Sequence, residues 1–128
     1  MKLENEKKSN MFVCAIRGIL SALKTEKNVK IDFAIAILVI ICGFCFRISC
    51  IEWIVCILCI ALVLFAELIN TGIETVVDLY TREKNELAKK AKDISAGAVF
   101  ILAINVAVVG LIIFLPKLID QAQILLNR

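Results

Sequence analysis

Several polar side chains that could bind a metal ion or accept a proton lie close together in the middle of the sequence. They occur in the segment FAELINTGIETVVDLY, residues 65–80, and are Glu67, Asn70, Glu74 and Asp78. With Glu67 as zero, a helical rotation of about 100° per residue places the others at roughly −60°, −20° and +20°, so all share one face. Carboxylates stacked in this way repel one another. A bound cation or a proton-transfer task would explain the arrangement.

The same stripe has a simpler interpretation, in which it is the water-facing side of an amphipathic helix end. This interpretation suits Asp78 but not Glu67, which follows the uncharged run 53–66 and precedes Leu68 and Ile69. An ionisable side chain so close to hydrocarbon is usually functional. Glu67 is therefore the leading candidate for a catalytic residue.

The composition predicts an integral membrane protein. The chain has 128 residues and is 61% hydrophobic, which leaves too little polar surface for a soluble domain. We therefore expect one all-α membrane domain, 1–128. Histidine is absent from the sequence, so metal sites built on histidine and Ser-His-Asp or Cys-His catalysis within the chain are excluded.

The cysteines have a spacing that could indicate zinc binding. Cys42 and Cys45 form one C-x-x-C pair, and Cys56 and Cys59 form another. Both pairs lie inside apolar runs, where a thiolate cage is hard to assemble and a thiol packs as a small hydrophobe. We expect packing roles for the cysteines and no disulfide.

Periodicity and hydropathy predict the elements that carry the candidate residues. Apolar residues recur at helical steps over about 11–24, which predicts an amphipathic helix in the membrane interface, although such a helix could be merely an anchor. Apolar segments at about 31–48, 51–70 and 96–115 are long enough to span a bilayer. We expect the second to continue as a helix to about residue 80, Asp93 to open the third helix, and Pro116 to close it.

The basic residues predict the orientation in a bacterial plasma membrane. Of the lysines and arginines, seven precede residue 31 and five lie within 82–92. The positive-inside rule then places the N-terminus in the cytoplasm and the C-terminus outside. Glu26, the acidic stripe and the link 82–93 share the cytoplasmic face. Lys84, Lys89 and Lys90 could be topology signals only, whereas Lys92 and Asp93 offer one group for a phosphate and one for a cation.

The motifs AELINTGIETVVDL and LAKKAKDISAGAV resemble the small prokaryotic diacylglycerol kinase family of membrane lipid kinases. Further matches are Arg17-Gly18, Thr25-Glu26-Lys27-Asn28, the triplet Ile-Glu-Trp at 51–53 and the ending LIIFLPKL at 111–118. The last two are similar to the Gram-positive branch, whose members are undecaprenol kinases with weaker diacylglycerol activity. The resemblance implies three membrane spans, a surface helix and a homotrimer.

The resemblance also implies roles for individual residues. Glu67 would be the general base, Glu26 and Glu74 would bind the Mg²⁺ that accompanies ATP, and Asn70, Asp78 and Arg17 would support the site. The residues implied in ATP binding are Glu26, Glu74, Glu83, Asn85, Lys92 and Asp93. The sequence departs from the family where Lys84 and Asn85 replace an aromatic residue and a histidine, and where Gly72 replaces an alanine.

The predicted function is ATP-dependent phosphorylation of a lipid alcohol, undecaprenol, at the cytoplasmic face. Neither a Walker loop nor a protein-kinase signature occurs in the sequence, so helix-borne carboxylates must hold Mg-ATP. Diacylglycerol is the alternative acceptor. A proton-coupled transporter or channel with Glu67 as carrier and a non-catalytic membrane adaptor are more distant alternatives. The predicted partners are the lipid, ATP and further copies of the chain, without nucleic acid.

Overall fold

The computed structural model describes residues 10–127, which fold into four helices joined by short connections. The helices are α1 (Met11–Thr25), α2 (Lys27–Cys45), α3 (Cys50–Tyr80) and α4 (Glu86–Leu126). The described residues contain no strand, so the predicted all-α class is confirmed. Residues 1–9 and 128 lie outside the described part of the chain.

Helices α2, α3 and α4 are long and apolar enough to cross a membrane. The 19 residues of α2 extend over roughly 28 Å, close to the hydrocarbon thickness of a bilayer. Large apolar side chains remain exposed on all three helices, with Ile37 58%, Leu58 57% and Ile112 68% exposed. Such surfaces are costly in water and suit a lipid environment. The prediction of three membrane-spanning helices is confirmed.

Helix α1 occupies the segment predicted to be an amphipathic surface helix. Its apolar side chains Met11 and Phe12 are exposed, whereas Ala22 is buried where α1 contacts α2 and α3. Glu26 follows α1 and precedes α2 with an extended backbone. Val29, in the first turn of α2, is fully buried. The chain therefore changes direction at Glu26, which places this carboxylate at the joint between the two helices.

A tight turn connects α2 to α3. The Arg47 N–H donates to Phe44 O at 3.2 Å, and the Ile48 N–H donates to Gly43 O at 3.1 Å. Arg47 adopts a left-handed φ of 50°. This is the Schellman arrangement, which satisfies the last carbonyls of a helix and is usually built around glycine or asparagine. Arginine adopts it here because the two helices must reverse direction within a few residues.

The beginning of α3 is fastened to α4. The Ser49 N–H donates to Glu52 Oε2 at 2.7 Å, and the Glu52 N–H donates to Ser49 Oγ at 3.3 Å, which forms a reciprocal helix cap. Glu52 Oε1 also lies 3.0 Å from Lys117 Nζ on α4. One glutamate thus begins α3 and pairs with the neighbouring helix.

Helix α4 does not end at Pro116, and this part of the sequence-based prediction is wrong. The helix continues to Leu126. An internal proline removes one backbone hydrogen bond and costs about 3 kcal/mol or more in an isolated helix. Packing before the proline offsets this cost, because Ile113 is buried and the rings of Phe114 and Phe46 lie 6.1 Å apart.

Helix α4 also begins earlier than predicted. Its cap is Asn85, whose Oδ1 accepts hydrogen bonds from the N–H groups of Leu87 and Ala88 at 2.9 and 3.0 Å. The helix starts at Glu86, so Asp93 lies about two turns inside it rather than at its opening. The capping asparagine supplied a start signal that the apolar pattern did not.

We expect Gly43→Ala to destabilise the fold. A Cβ at this position would lie 2.6 Å from Trp53 Cη2, and the Trp53 ring is packed against Phe44 with a centroid distance of 4.9 Å. Overpacking of this kind lowers the free energy of unfolding by about 1–3 kcal/mol, which denaturant unfolding in detergent micelles will measure.

Gly72→Ala is the matched control for this prediction. Nothing lies within 4 Å of a Cβ at Gly72, so helix propensity should raise the stability by up to about 1 kcal/mol. An unchanged unfolding midpoint for Gly43→Ala would contradict the close approach of Trp53.

Candidate functional site

The polar row on α3 consists of Glu67, Asn70, Glu74 and Asp78, and its exposure increases along the helix. Glu67 is 3% exposed and Asn70 is 6% exposed, Glu74 is half-buried, and Asp78 is exposed. Asn70 Nδ2 donates a hydrogen bond to Glu74 Oε1 at 3.1 Å. The interpretation of the stripe as a water-facing surface therefore fits Asp78 but does not fit Glu67.

Further carboxylates surround Glu67. Asp32 on α2, Glu74 on α3 and Glu26 at the α1–α2 joint all lie near enough to repel its carboxylate, and the side chain of Asn28 faces it. The structure thus brings the two predicted metal ligands, Glu26 and Glu74, to the predicted base. Partly buried negative charges that repel one another are stabilised by a bound cation or a shared proton.

A buried hydrogen bond joins the polar row to α4. Ser95 Oγ lies 2.6 Å from Asn70 Oδ1 and 2.9 Å from the backbone oxygen of Lys92. Ser95 is 7% exposed, so this contact is shielded from water almost as completely as Asn70 itself. Buried polar side chains normally find partners in this way.

An ion pair makes the next contact between α3 and α4. Lys92 Nζ binds Asp78 Oδ1, and both side chains are partly exposed. Such a pair contributes little to stability. Its effect is positional, because it directs the Lys92 ammonium towards the exposed end of the polar row.

A polar cleft of about 710 Å³ opens between the ends of α3 and α4 and their connection. Its lining includes the predicted nucleotide-binding residues Glu83, Asn85, Lys92 and Asp93, together with Asp78 and the basic residues Arg82, Lys84 and Lys89. With Glu86, the lining holds four acidic and four basic side chains, so a bound ligand would meet charges of both signs. The helix cap occupies the oxygen of the Asn85 carboxamide, so its Nδ2 is the group left to meet a ligand.

An apolar groove of about 270 Å³ runs between α2, α3 and α4. Cys56, Ile60 and Val63 line it from α3, and helical rotation places them within roughly 40° of Glu67. Asp32 is the charged residue in the lining. Glu67 does not line the groove, but it follows the lining residues Val63 and Leu64 on α3 by about one helical turn.

Arg17 is the predicted supporting residue that the structure does not bring to this cluster. It is exposed on α1 and lines neither the polar cleft nor the apolar groove. In the single chain it is a basic residue of the surface helix, where it would meet lipid head groups.

The donor set around Glu67 suits Mg²⁺ that arrives with a nucleotide. Carboxylate oxygens such as those of Glu26 and Glu74 are hard donors. Over residues 10–127, no group of three or more aspartate, glutamate or cysteine side chains is arranged to hold a metal ion by itself. Mg²⁺ usually needs only one or two carboxylates when phosphate oxygens and water complete its coordination.

Sequence reasoning assigned no role to Asn28, Asp32 or Ser95, which the structure adds to the site. A role for Asp32 could have been predicted from the sequence, because an acidic residue inside an apolar span is costly and usually functional. Asn28 and Ser95 lie inside motifs that match the family, but the motifs alone do not give their partners. The partner of each is set by how the helices pack.

Comparison with known proteins agrees with the motifs. The family model described as Prokaryotic diacylglycerol kinase matches residues 13–114. The undecaprenol kinase of Bacillus subtilis (strain 168) is 48% identical over 107 residues, which are 84% of this chain and 87% of that protein.

Two diacylglycerol kinases are also similar. That of Synechocystis sp. (strain ATCC 27184 / PCC 6803 / Kazusa) is 38% identical over 110 residues, which are 85% of this chain and 63% of that protein. That of Haemophilus influenzae (strain ATCC 51907 / DSM 11121 / KW20 / Rd) is 34% identical over 102 residues, which are 78% of this chain and 86% of that protein. The resemblance predicted from the motifs is confirmed: this chain belongs to the prokaryotic diacylglycerol kinase family and is a membrane lipid kinase.

Proposed function

We propose that this lipid kinase transfers the γ-phosphoryl group of ATP to undecaprenol. The observation that carries the proposal is the position of Glu67, which is 3% exposed and follows the groove residues Val63 and Leu64 by about one helical turn. A lipid chain in the groove would bring its hydroxyl group to this carboxylate. The 48% identity to the undecaprenol kinase of Bacillus subtilis supports undecaprenol as the acceptor.

In this proposal, Glu67 is the general base. Its carboxylate accepts the proton of the lipid hydroxyl while the hydroxyl oxygen forms a bond to the γ-phosphorus. The bond between the γ-phosphorus and the bridging oxygen breaks, and ADP leaves with that oxygen. Phosphoryl transfer needs little other covalent help, so the alignment of donor and acceptor supplies most of the catalysis.

The polar cleft is the proposed nucleotide site. Lys92 would meet phosphate oxygens, while Asp93, Glu83 and Asn85 would contact the rest of the nucleotide. From Asp78, at the cleft, to Glu67, α3 rises by roughly 16 Å. A nucleotide whose base and ribose lie in the cleft could therefore extend along the polar row, with its triphosphate directed towards Glu67.

Glu26 and Glu74 would hold the Mg²⁺ that accompanies ATP. Mg²⁺ bound to the nucleotide neutralises phosphate charge and orients the transferring group. These two glutamates supply oxygen donors from different elements, the α1–α2 joint and α3. Asn70 and Asp78 are proposed to support this site by orienting Glu74 and Lys92, respectively.

We further propose that the end of the bundle carrying Glu67 faces the cytoplasm, with the C-terminus outside a bacterial plasma membrane. Of the lysines and arginines, seven precede residue 31 and five lie within 82–92. The positive-inside rule places both groups in the cytoplasm, where ATP is available.

A homotrimer with shared sites is also proposed. Small residues allow close helix contact in membranes. Ala34, Ala61 and Ala98 are exposed in the single chain and are therefore free to contact other copies. Arg17 remains a proposed supporting residue, and its position on the exposed surface of α1 is compatible with contact to a neighbouring copy.

Diacylglycerol is the alternative acceptor, because two similar proteins are diacylglycerol kinases. We expect purified protein in mixed micelles with radiolabelled ATP to show a higher kcat/KM for undecaprenol than for diacylglycerol. The reverse order would assign the chain to the alternative. Label transfer to neither lipid would reject both acceptors.

We expect Glu67→Gln to lower kcat for lipid phosphorylation by about 10²–10⁴-fold, because the amide cannot accept the hydroxyl proton. Binding of a non-hydrolysable ATP analogue, measured by titration calorimetry, should change little. Asp120→Asn, on the exposed far part of α4, is the control and should retain activity. Wild-type turnover in Glu67→Gln would remove the base assignment.

We expect Glu74→Gln and Glu26→Gln to raise the Mg²⁺ concentration needed for half-maximal activity by at least about tenfold, because each removes a charged oxygen donor. Excess Mg²⁺ should recover much of the lost rate. Asp120→Asn, on the exposed far part of α4, controls for the loss of one negative charge. An unaltered Mg²⁺ dependence in both glutamate variants would exclude them as ligands.

A further inference from the structure

Ser95 is a buried hydroxyl group with no role in the proposed chemistry, yet it contacts the centre of the polar row. Its Oγ lies 2.6 Å from Asn70 Oδ1, and the other end of the same carboxamide, Nδ2, lies 3.1 Å from Glu74 Oε1. The three side chains therefore form a chain that begins on α4 and ends at a predicted metal ligand on α3.

The single proton of the serine hydroxyl limits how this chain can be arranged. Ser95 Oγ is near two acceptors, Asn70 Oδ1 at 2.6 Å and the backbone oxygen of Lys92 at 2.9 Å. A hydroxyl has one O–H to donate. If Ser95 donated to Lys92 alone, the Asn70 carboxamide would have to turn and direct Nδ2 towards Ser95. Its oxygen would then face the Glu74 carboxylate.

The charge on Glu74 selects between the two arrangements. A carboxylate only accepts hydrogen bonds, so an amide oxygen in front of it is repelled and an amide N–H is attracted. Asn70 must therefore present Nδ2 to Glu74 and Oδ1 to α4. Ser95 stabilises this orientation, because its O–H is the donor that Asn70 Oδ1 meets within residues 10–127, and Asn70 is buried.

We propose that Ser95 is a positioning residue for metal binding, acting through Asn70 to hold Glu74 in the orientation that receives Mg²⁺. This inference rests on the proposed function, in which Glu74 is a magnesium ligand. Ser95 itself touches neither metal nor substrate. It acts as the outer partners of metal ligands generally do, by fixing the direction and hydrogen-bonding state of a group that makes the contact.

The geometry also explains why a serine on α4 can act in this way. Ser95 is 7% exposed and Asn70 is 6% exposed, so water cannot readily replace the missing hydroxyl. Without it, rotation of the carboxamide is no longer opposed, and one of the two orientations places an amide oxygen against Glu74. The carboxylate would then be displaced or left without its donor.

The test measures metal binding directly, apart from catalysis. Mn²⁺ replaces Mg²⁺, and its binding to the full-length protein in micelles is followed by electron paramagnetic resonance with a non-hydrolysable ATP analogue present. We expect Ser95→Ala to weaken nucleotide-dependent Mn²⁺ binding by about tenfold or more, the usual effect of removing an outer partner of a metal ligand. Lipid phosphorylation should show a matching rise in Mg²⁺ requirement, with kcat at saturating Mg²⁺ within about twofold of wild type.

Two further variants separate positioning from general damage. Ser95→Thr keeps the hydroxyl and should restore Mn²⁺ binding, whereas Ser95→Cys fills the same space with a weak donor and should follow Ser95→Ala. Thr75→Ala is the matched control, because Thr75 Oγ1 donates to Thr71 O within α3 and reaches no other helix. It should bind Mn²⁺ as wild type does.

The outcomes distinguish failure of the Ser95 positioning role from failure of the proposed metal site. Wild-type Mn²⁺ affinity in both Ser95→Ala and Ser95→Cys would overturn the positioning role and leave the kinase proposal intact. Absence of nucleotide-dependent Mn²⁺ binding in the wild type would overturn the metal site, and the role of Ser95 with it. A lower kcat that excess Mg²⁺ does not restore would also contradict a role through the metal.

Discussion

Glu67 is 3% exposed, and the groove about one helical turn before it is lined almost entirely by apolar side chains. A buried charge must be paired, hydrogen-bonded or neutralised, since its removal from water costs several kcal/mol. The neighbours of Glu67 make this demand more severe, because Asp32, Glu26 and Glu74 are also acidic. The site is therefore built to be completed by something positively charged or by a proton, and both belong to the reaction of a lipid kinase.

Contacts between α3 and α4 hold the mutually repelling acidic side chains in place. At one end, Ser95 binds Asn70 and Lys92 binds Asp78, while Glu52 at the other end of α3 binds a lysine of α4. Contacts at both ends prevent the two helices from sliding past each other. Both cavities depend on this register, because the polar cleft and the apolar groove each take part of their lining from α3 and α4.

Much of the fold was predictable, because hydropathy and helical periodicity are local properties of the sequence. They gave the three spans and showed that Glu67 and Asn70 share a face. The predicted role of Glu26 as a metal ligand came from the family resemblance, since periodicity within one helix cannot place residues of another. The contact of Ser95 with Asn70 could not be read from the sequence, because it depends on the packing of two helices. Pro116 misled the prediction, because its effect on a helix depends on neighbouring contacts.

Helix α3 is the element through which the two substrates would meet. The same face that carries Cys56, Ile60 and Val63 along the groove carries Glu67 and then Glu74, before Asp78 reaches the polar cleft. A lipid and a nucleotide bound along this face would therefore approach each other end to end, and Glu67 lies at the change from apolar to polar surroundings. Successive side chains on a helix are rotated by about 100°. One residue inserted between Val63 and Glu67 would therefore turn the groove residues and the acidic residues to different faces. Because α3 is one uninterrupted helix of 31 residues, the groove residues and the acidic residues stay on one face. A helix break at the membrane boundary would remove this alignment.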